Sequence, residues 1–159
     1  MDLRIGNGYD VHLLAPGLEF WLGGIKIEHT KGCVAHSDGD TLIHALCDAM
    51  LGALALGDIG KHFPDSSDEF LGISSMNLLV RVRQIMQSHS AEIANVDATV
   101  IAQKPKFAPY IEKMRSNIAF ALGCKESFIN VKATTEERLG FTGREEGISV
   151  HAVVLLEIK

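Results

Sequence analysis

Apolar residues in this chain change period several times, and each change marks an element. Residues 37–54, SDGDTLIHALCDAMLGAL, carry Leu42, Leu46, Ala49, Met50 and Ala53 at helical spacing. Ser37 or Asp38 is placed to cap that helix. Residues 74–89 repeat the pattern, with Leu79, Val82 and Met86 on one side. A third helix is expected from about Pro109 to Leu122, because proline suits a first helical turn and Gly123 suits a C-cap. Period-two alternation predicts strands over NVDATVIAQ, INVKAT and ISVHAVVLLEIK. EFWLGGIKIEH reads as a hairpin turning at Gly23 and Gly24. LRIGNGYDVH reads as a short strand running into a turn loosened by Gly6 and Gly8. Residues 57–72 form a long stretch rich in Gly, Asp, Ser and Pro, the mark of a functional or disordered loop. TEERLGFTGREEG, residues 135–147, is a turn or short helix.

That order implies an α+β fold, a mixed β-sheet with helices packed on one face, within a single domain spanning 1–159. Val153 and Leu155 alternate with Val154 and Leu156, so the last strand is apolar on both faces. Burial from both sides follows, with other subunits as the cover. A chain of 159 residues buries roughly 70% of its unfolded surface. The net charge is -5 and no Lys/Arg stripe occurs, which argues against a nucleic-acid partner. Lys104 and Lys106 are a local pair suited to a phosphate. Cys33, Cys47 and Cys124 are far apart and lack a C-x-x-C, so they suit reduced thiols in the cytoplasm better than disulfides or a cysteine zinc site. The first residues lack the apolar stretch of a secretory signal, and AMLGALALG is too short to cross a membrane.

Asp10 and His12 stand two apart on an extended segment, so their side chains point the same way. Asp40, His44 and Asp48 fall at i, i+4 and i+8, one stripe opposite the apolar helix face. Asp48 suits a solvated surface. His44 sits among Leu42, Ile43, Ala45 and Leu46, and a buried imidazole needs partners. Asp10, His12 and His44 would form a three-ligand N/O set with an open position, the pattern of catalytic zinc, although spacing alone does not separate it from chance. His36 and Ser37 lie near the helix start, where free N–H groups favour an anion, and His36 equally suits an ordinary surface position. Asp58 and Asp65 are turn-formers beside Gly and Pro, or acceptors for substrate hydroxyls. AQKPKFAP, with Lys106, reads as a solvated basic turn or as a receiver for a nucleotide. Thr134 and Glu137 fit a capping box, and Glu137 alternatively offers oxygen to Mg²⁺. No H-E-x-x-H, G-x-S-x-G or P-loop occurs.

RIGNGYDVH, GGIKI, AHSDGDTLIHALCDAMLGALALGDIGKHFPD, NVDATVIAQKPK, NVKATTEERLGFTGR and EGISVHAVVLL occur in this order. Together they resemble the 2-C-methyl-D-erythritol 2,4-cyclodiphosphate synthase family over Arg4 to Leu156. The resemblance implies a CMP-releasing phosphorus-oxygen lyase of the non-mevalonate isoprenoid route, acting on a cytidine-diphosphate substrate. It implies a homotrimer whose sheets face a three-fold axis, with active sites between subunits. Zn²⁺ would sit at Asp10, His12 and His44, and Mg²⁺ or Mn²⁺ at Glu137. His36 and Thr135 match positions that stabilise the transition state, and Asp10, His12 and Ser37 match substrate contacts. Asp58, Ile59, Gly60, Phe63, Pro64 and Asp65 match the methylerythritol site. Ala102, Lys106, Phe107, Ala108, Ala133, Thr134 and Thr135 match the cytidine-diphosphate pocket. Phe141 and Arg144 match positions near the axis, where an isoprenoid diphosphate binds in some members.

Two positions depart from the family pattern. Ser67 stands where a second Asp is common, with Asp68 one residue on, and Gly39 stands where Ala is frequent and would loosen the helix start. Two other functions compete with cyclisation. A zinc hydrolase would use the same three ligands to activate water. A non-enzymatic sensor of isoprenoid diphosphate would rely on Phe141 and Arg144 instead.

Overall fold

Gly6 and Gly8 explain how the sheet meets its first helix. In the computed structural model, which describes residues 2–159, both lie inside one unbroken strand, β1 (Asp2–Pro16). The expected turn is absent, because these glycines serve a close approach instead. A β-carbon on Gly6 would stand 1.8 Å from Ala49 O, and one on Gly8 would stand 1.9 Å from Ala45 O. Both carbonyls belong to helix α1 (Thr41–Ala53), whose backbone therefore rests directly on the strand. The periods match: two strand residues rise about 6.6 Å and four helix residues about 6 Å. Ala45 and Ala49 thus step along Gly8 and Gly6.

Around β1 the sheet is mixed, as expected. β7 (Gly147–Ile158) runs antiparallel between β1 and β5 (Ala91–Ile101). β6 (Ile129–Thr134) lies parallel to β5, and β4 (Lys31–Cys33) closes the other edge against β1. β2 (Phe20–Leu22) and β3 (Ile25–Ile27) form the separate hairpin, turning at Gly23 and Gly24. Helices α3 (Ser75–Ser88) and α4 (Ile111–Leu122) join α1 over one face of the sheet. Leu42, Ile43, Leu46, Met50 and Leu51 of α1 are fully buried there, at about 1.5–3 kcal/mol of stabilisation each.

The start of α1 differs from expectation. Asp40, not Ser37 or Asp38, caps it, accepting from Ile43 N at 3.1 Å. The same carboxylate accepts from Gly23 N at 2.9 Å and Gly24 N at 2.7 Å, so it ties the hairpin turn to the helix. Gly39 adopts φ +72, so it supplies a left-handed step before the cap. Nor is the Asp40–His44–Asp48 stripe solvated. Asp40 is fully buried, and half-buried Asp48 accepts from Ile59 N at 2.9 Å. The Gly23–Gly24 turn covers Asp40, and the 57–72 segment folds back on Asp48 through helix α2 (Ile59–His62), which a 3₁₀ turn at Asp68–Phe70 follows.

The opposite sheet face carries exposed Leu3, Ile5, Val11, Leu13 and Val153, with Ile5 73% exposed. Among the described residues, no helix is long and apolar enough to cross a membrane. Gly8→Ala is expected to destabilise the fold by about 3 kcal/mol in urea unfolding, because Ala45 O cannot retreat without lifting α1. Gly52→Ala, whose β-carbon meets nothing closer than 4.0 Å, is expected to leave stability unchanged or raise it by up to about 1 kcal/mol.

Candidate active site

Strand alternation places Asp10 and His12 on the helix side of β1, in line with the two glycines and opposite Val150 and Ile148 of β7. Because α1 sits so low, His44 on its first turn reaches the same point. Asp10 Oδ2 lies 3.1 Å from His12 Nδ1 and 3.2 Å from His44 Nδ1. One donor atom from each residue falls within 4.8 Å of the other two, the one such His/Cys/Asp/Glu group among the described residues.

The cluster fits a divalent metal. Asp10 Oδ2 is buried, yet no donor approaches it with hydrogen-bond alignment. Leaving a buried acceptor so costs about 1–3 kcal/mol, more for a charge. Ligands of a tetrahedral zinc-sized ion stand about 3.3 Å apart, close to the Asp10 Oδ2–His44 Nδ1 separation of 3.2 Å. Burial opposes the Asp10 charge, but the two imidazoles outweigh it and hold the carboxyl at about 2. Burial likewise disfavours a charged His44, and Asp10 outweighs it, raising the His44 pKa above its ordinary value. A cation among these groups would stand in for those protons.

On the ring's other side, His44 Nε2 lies 2.8 Å from Ser75 Oγ and 3.2 Å from Ser37 Oγ. Ser75 in turn hydrogen-bonds Asp38. The residue patterns had singled out Asp38 only as a helix cap and Ser75 not at all. A serine at a helix start carries no sign that it faces a histidine 31 positions away.

A cavity of about 320 Å³ opens over the cluster and brings the three ligands against His36, Ser37, Ile59, Gly60, Phe63 and Asp65. Asp58 and Pro64 lie next to lining residues but not in its wall. The Asp58 carboxylate caps α2, accepting from Lys61 N at 2.9 Å. Ser67 accepts from Glu69 N at 3.4 Å, as cap of the following turn. A second cavity, about 340 Å³, gathers Ala102, Lys106, Phe107, Ala108, Ala133, Thr134 and Thr135. Phe107 is buried against Phe20, with ring centroids 6.1 Å apart. The two cavities share no lining residue, so His36 and Thr135 stand in different ones.

The Thr134–Glu137 capping box does not form. Thr134 Oγ1 donates to Thr135 O at 3.1 Å, and Glu137 N donates to Thr135 Oγ1 at 3.3 Å. Glu137 and Arg138 both take left-handed conformations, φ +54 and +65, which turn the chain before helix α5 (Gly140–Gly143) begins. Glu137 is exposed and lines neither cavity. Phe141 and Arg144 are exposed too, and Arg144 already pairs with Glu146 at 3.1 and 3.2 Å. Lys104 pairs with Glu145 at 3.4 Å, leaving Lys106 as the basic group at the second cavity.

A candidate metal triad between one sheet and the helix laid on its glycines defines the class, an α+β protein whose site fits a divalent ion. Within that class the chain belongs to the YgbB family, whose model matches residues 3–157. It is 58% identical over 156 residues to the 2-C-methyl-D-erythritol 2,4-cyclodiphosphate synthase of Thioalkalivibrio sulfidiphilus, covering 98% of each chain. Among solved structures it is similar to the bifunctional IspDF of Campylobacter jejuni, with 44% identity and a TM-score of 0.95. That match covers 99% of this chain and 43% of the bifunctional one. It is also similar to Plasmodium falciparum IspF in its CDP complex, with 37% identity, a TM-score of 0.87, and coverage of 99% and 97%.

His44→Ala is expected to weaken zinc binding by more than about 100-fold, read by competition with a chelating dye, since loss of a ligand exceeds loss of an outer partner. The far-UV circular dichroism is expected to stay unchanged, because α1 is held by its apolar face. Unfolding on this change would show the centre to be structural.

Proposed function

We propose that this chain converts 4-diphosphocytidyl-2-C-methyl-D-erythritol 2-phosphate to 2-C-methyl-D-erythritol 2,4-cyclodiphosphate and CMP, in the non-mevalonate route to isoprenoid precursors. The observation that carries it is the Asp10–His12–His44 cluster opening into a cavity walled by His36, Ser37, Gly60 and Asp65. The whole chain, 1–159, acts as one domain. The identity to named synthases over nearly its full length supports the reading.

The reaction is internal. An oxygen of the 2-phosphate attacks the β-phosphorus, the bond from that phosphorus to the bridging oxygen breaks, and CMP departs with that oxygen. Phosphoryl transfer asks for positioning and charge neutralisation rather than a protein nucleophile. Asp10, His12 and His44 would hold zinc, and exposed Glu137 with the substrate diphosphate would hold Mg²⁺ or Mn²⁺, a cation that commonly takes one carboxylate and substrate oxygens. When bound, these ions neutralise oxygens around the attacked phosphorus. Asp58, Ile59, Gly60, Phe63, Pro64 and Asp65 hold the methylerythritol, and His36 and Ser37 contact phosphate. The cavity of Ala102, Lys106, Phe107, Ala108, Ala133 and Thr134 receives cytidine diphosphate. His36 and Thr135 stabilise the charge that develops in transfer.

One substrate then needs both cavities. Their separation within the chain, with the uncovered apolar sheet face, supports a homotrimer in which each site joins the metal cavity of one subunit to the nucleotide cavity of the next. Arg144 meets Glu146 through two of its five N–H groups, which leaves three for an isoprenoid diphosphate on the axis. The unpaired thiols Cys33, Cys47 and Cys124 suit the reducing cytoplasm.

Incubating the protein with that substrate, zinc and Mg²⁺ is expected to yield CMP and a cyclic diphosphate together in phosphorus NMR. CMP with a linear bisphosphate would mean that water is the nucleophile. Ile5→Glu is expected to yield folded monomers by sedimentation that bind zinc but do not turn over. A trimeric, active Ile5→Glu protein would sink the shared-site assembly.

A further inference from the structure

His44 has two faces, and only one points at Asp10. Its Nε2 lies 2.8 Å from Ser75 Oγ, a fully buried hydroxyl at the first residue of α3. A hydroxyl has one proton to give and an ionised carboxylate has none. Ser75 Oγ gives its proton to Asp38 Oδ1. It can therefore only accept from His44, so the ring carries its proton on Nε2.

Asp38 is held as firmly. Its Oδ2 accepts from Ser75 N at 2.9 Å and its Oδ1 from Asp40 N at 3.1 Å. Ser74, the residue in the N-cap position of α3, makes no side-chain cap bond, so Asp38 does that work from 37 residues away. The carboxylate thus accepts from two backbone N–H groups and from the Ser75 hydroxyl. Ser37 Oγ, at 3.2 Å, is the more distant partner of the same ring nitrogen.

We propose that Ser75 and Asp38 are positioning residues for the ligand His44. Asp38 orients the Ser75 hydroxyl, Ser75 holds the Nε2 proton, and Nδ1 is left to present its lone pair beside Asp10 Oδ2. The inference rests on the reading of Asp10, His12 and His44 as a metal centre. Outer partners of this kind fix ring orientation and raise ligand basicity.

The test uses zinc affinity measured by chelator competition on the full chain. Ser75→Ala removes only the hydroxyl and keeps the Ser75 N–Asp38 bond, so it separates the relay from the capping of α3. Ser75→Ala and Asp38→Asn are each expected to weaken zinc binding about 10–100-fold. Because the two act in series, the double variant is expected to lose no more than the worse single one. In the zinc-loaded parent the His44 Nε2 proton is expected as a slowly exchanging NMR signal, assigned by its absence from His44→Ala, and it should vanish in Ser75→Ala. Zinc affinity within about twofold of the parent in both single variants would overturn the inference. So would losses that multiply in the double variant. If the parent takes up no zinc, or His44→Ala binds it as tightly as the parent, the metal reading falls and this inference with it.

Discussion

The contact on which this structure depends is backbone against backbone. Helix α1 reaches β1 without side chains between them at two successive steps, because Gly6 and Gly8 leave room for Ala49 O and Ala45 O. A side chain at either position would hold the helix away by the thickness of a methyl group. His44 would then no longer reach the carboxylate that His12 already faces from the strand. The candidate metal site is thus a consequence of a packing distance, and the glycines that set that distance are not among its three residues. Asp40 fixes the other coordinate by pinning the start of α1 to the Gly23–Gly24 turn.

The Asp10 carboxylate is partly buried against two imidazoles. Asp10 Oδ2 has close neighbours but no aligned donor, and its charge survives burial only because both rings stand against it. Such a group has a preferred occupant, a divalent ion that satisfies the oxygen and both nitrogen lone pairs at once. The hydroxyl of Ser75 and the carboxylate of Asp38 extend the same logic one layer outward. They draw on α3, so the centre is braced by strand, helix and neighbouring helix together. Under the proposed reading, the His36–Ser37 and Ile59–Asp65 segments of the cavity wall supply the substrate side.

Under the proposed assembly, the two halves of the active site meet only across a subunit border. Each cavity alone, about 320 or 340 Å³, suits part of a cytidine-diphosphate sugar alcohol rather than the whole. The exposed apolar side of β1 and β7 would then be both the glue of the trimer and the device that brings His36 of one subunit toward Thr135 of another.

The sequence by itself determined most of the elements and the α+β class, and it pointed to Asp10, His12 and His44 as a candidate metal set. These depend on local periodicity and on residue types quoted in order. The strand INVKAT matched residue for residue, and the helix at 74–89 to within one residue at each end. Local reasoning failed where a residue answers to something distant in the chain. Glycine near a strand reads as a turn, yet Gly6 and Gly8 serve a helix some 40 residues on. Asp48 reads as solvated because nothing in its own helix shows what folds over it. The Thr134–Glu137 pair had capping-box spacing, but two left-handed residues diverted the chain before a helix began. Ser75 and Asp38 could be found only once α3 was packed beside α1. Spacing along a chain reports which side chains share a face. Only tertiary structure decides what that face meets, because the partner's distance is set by packing rather than by sequence separation.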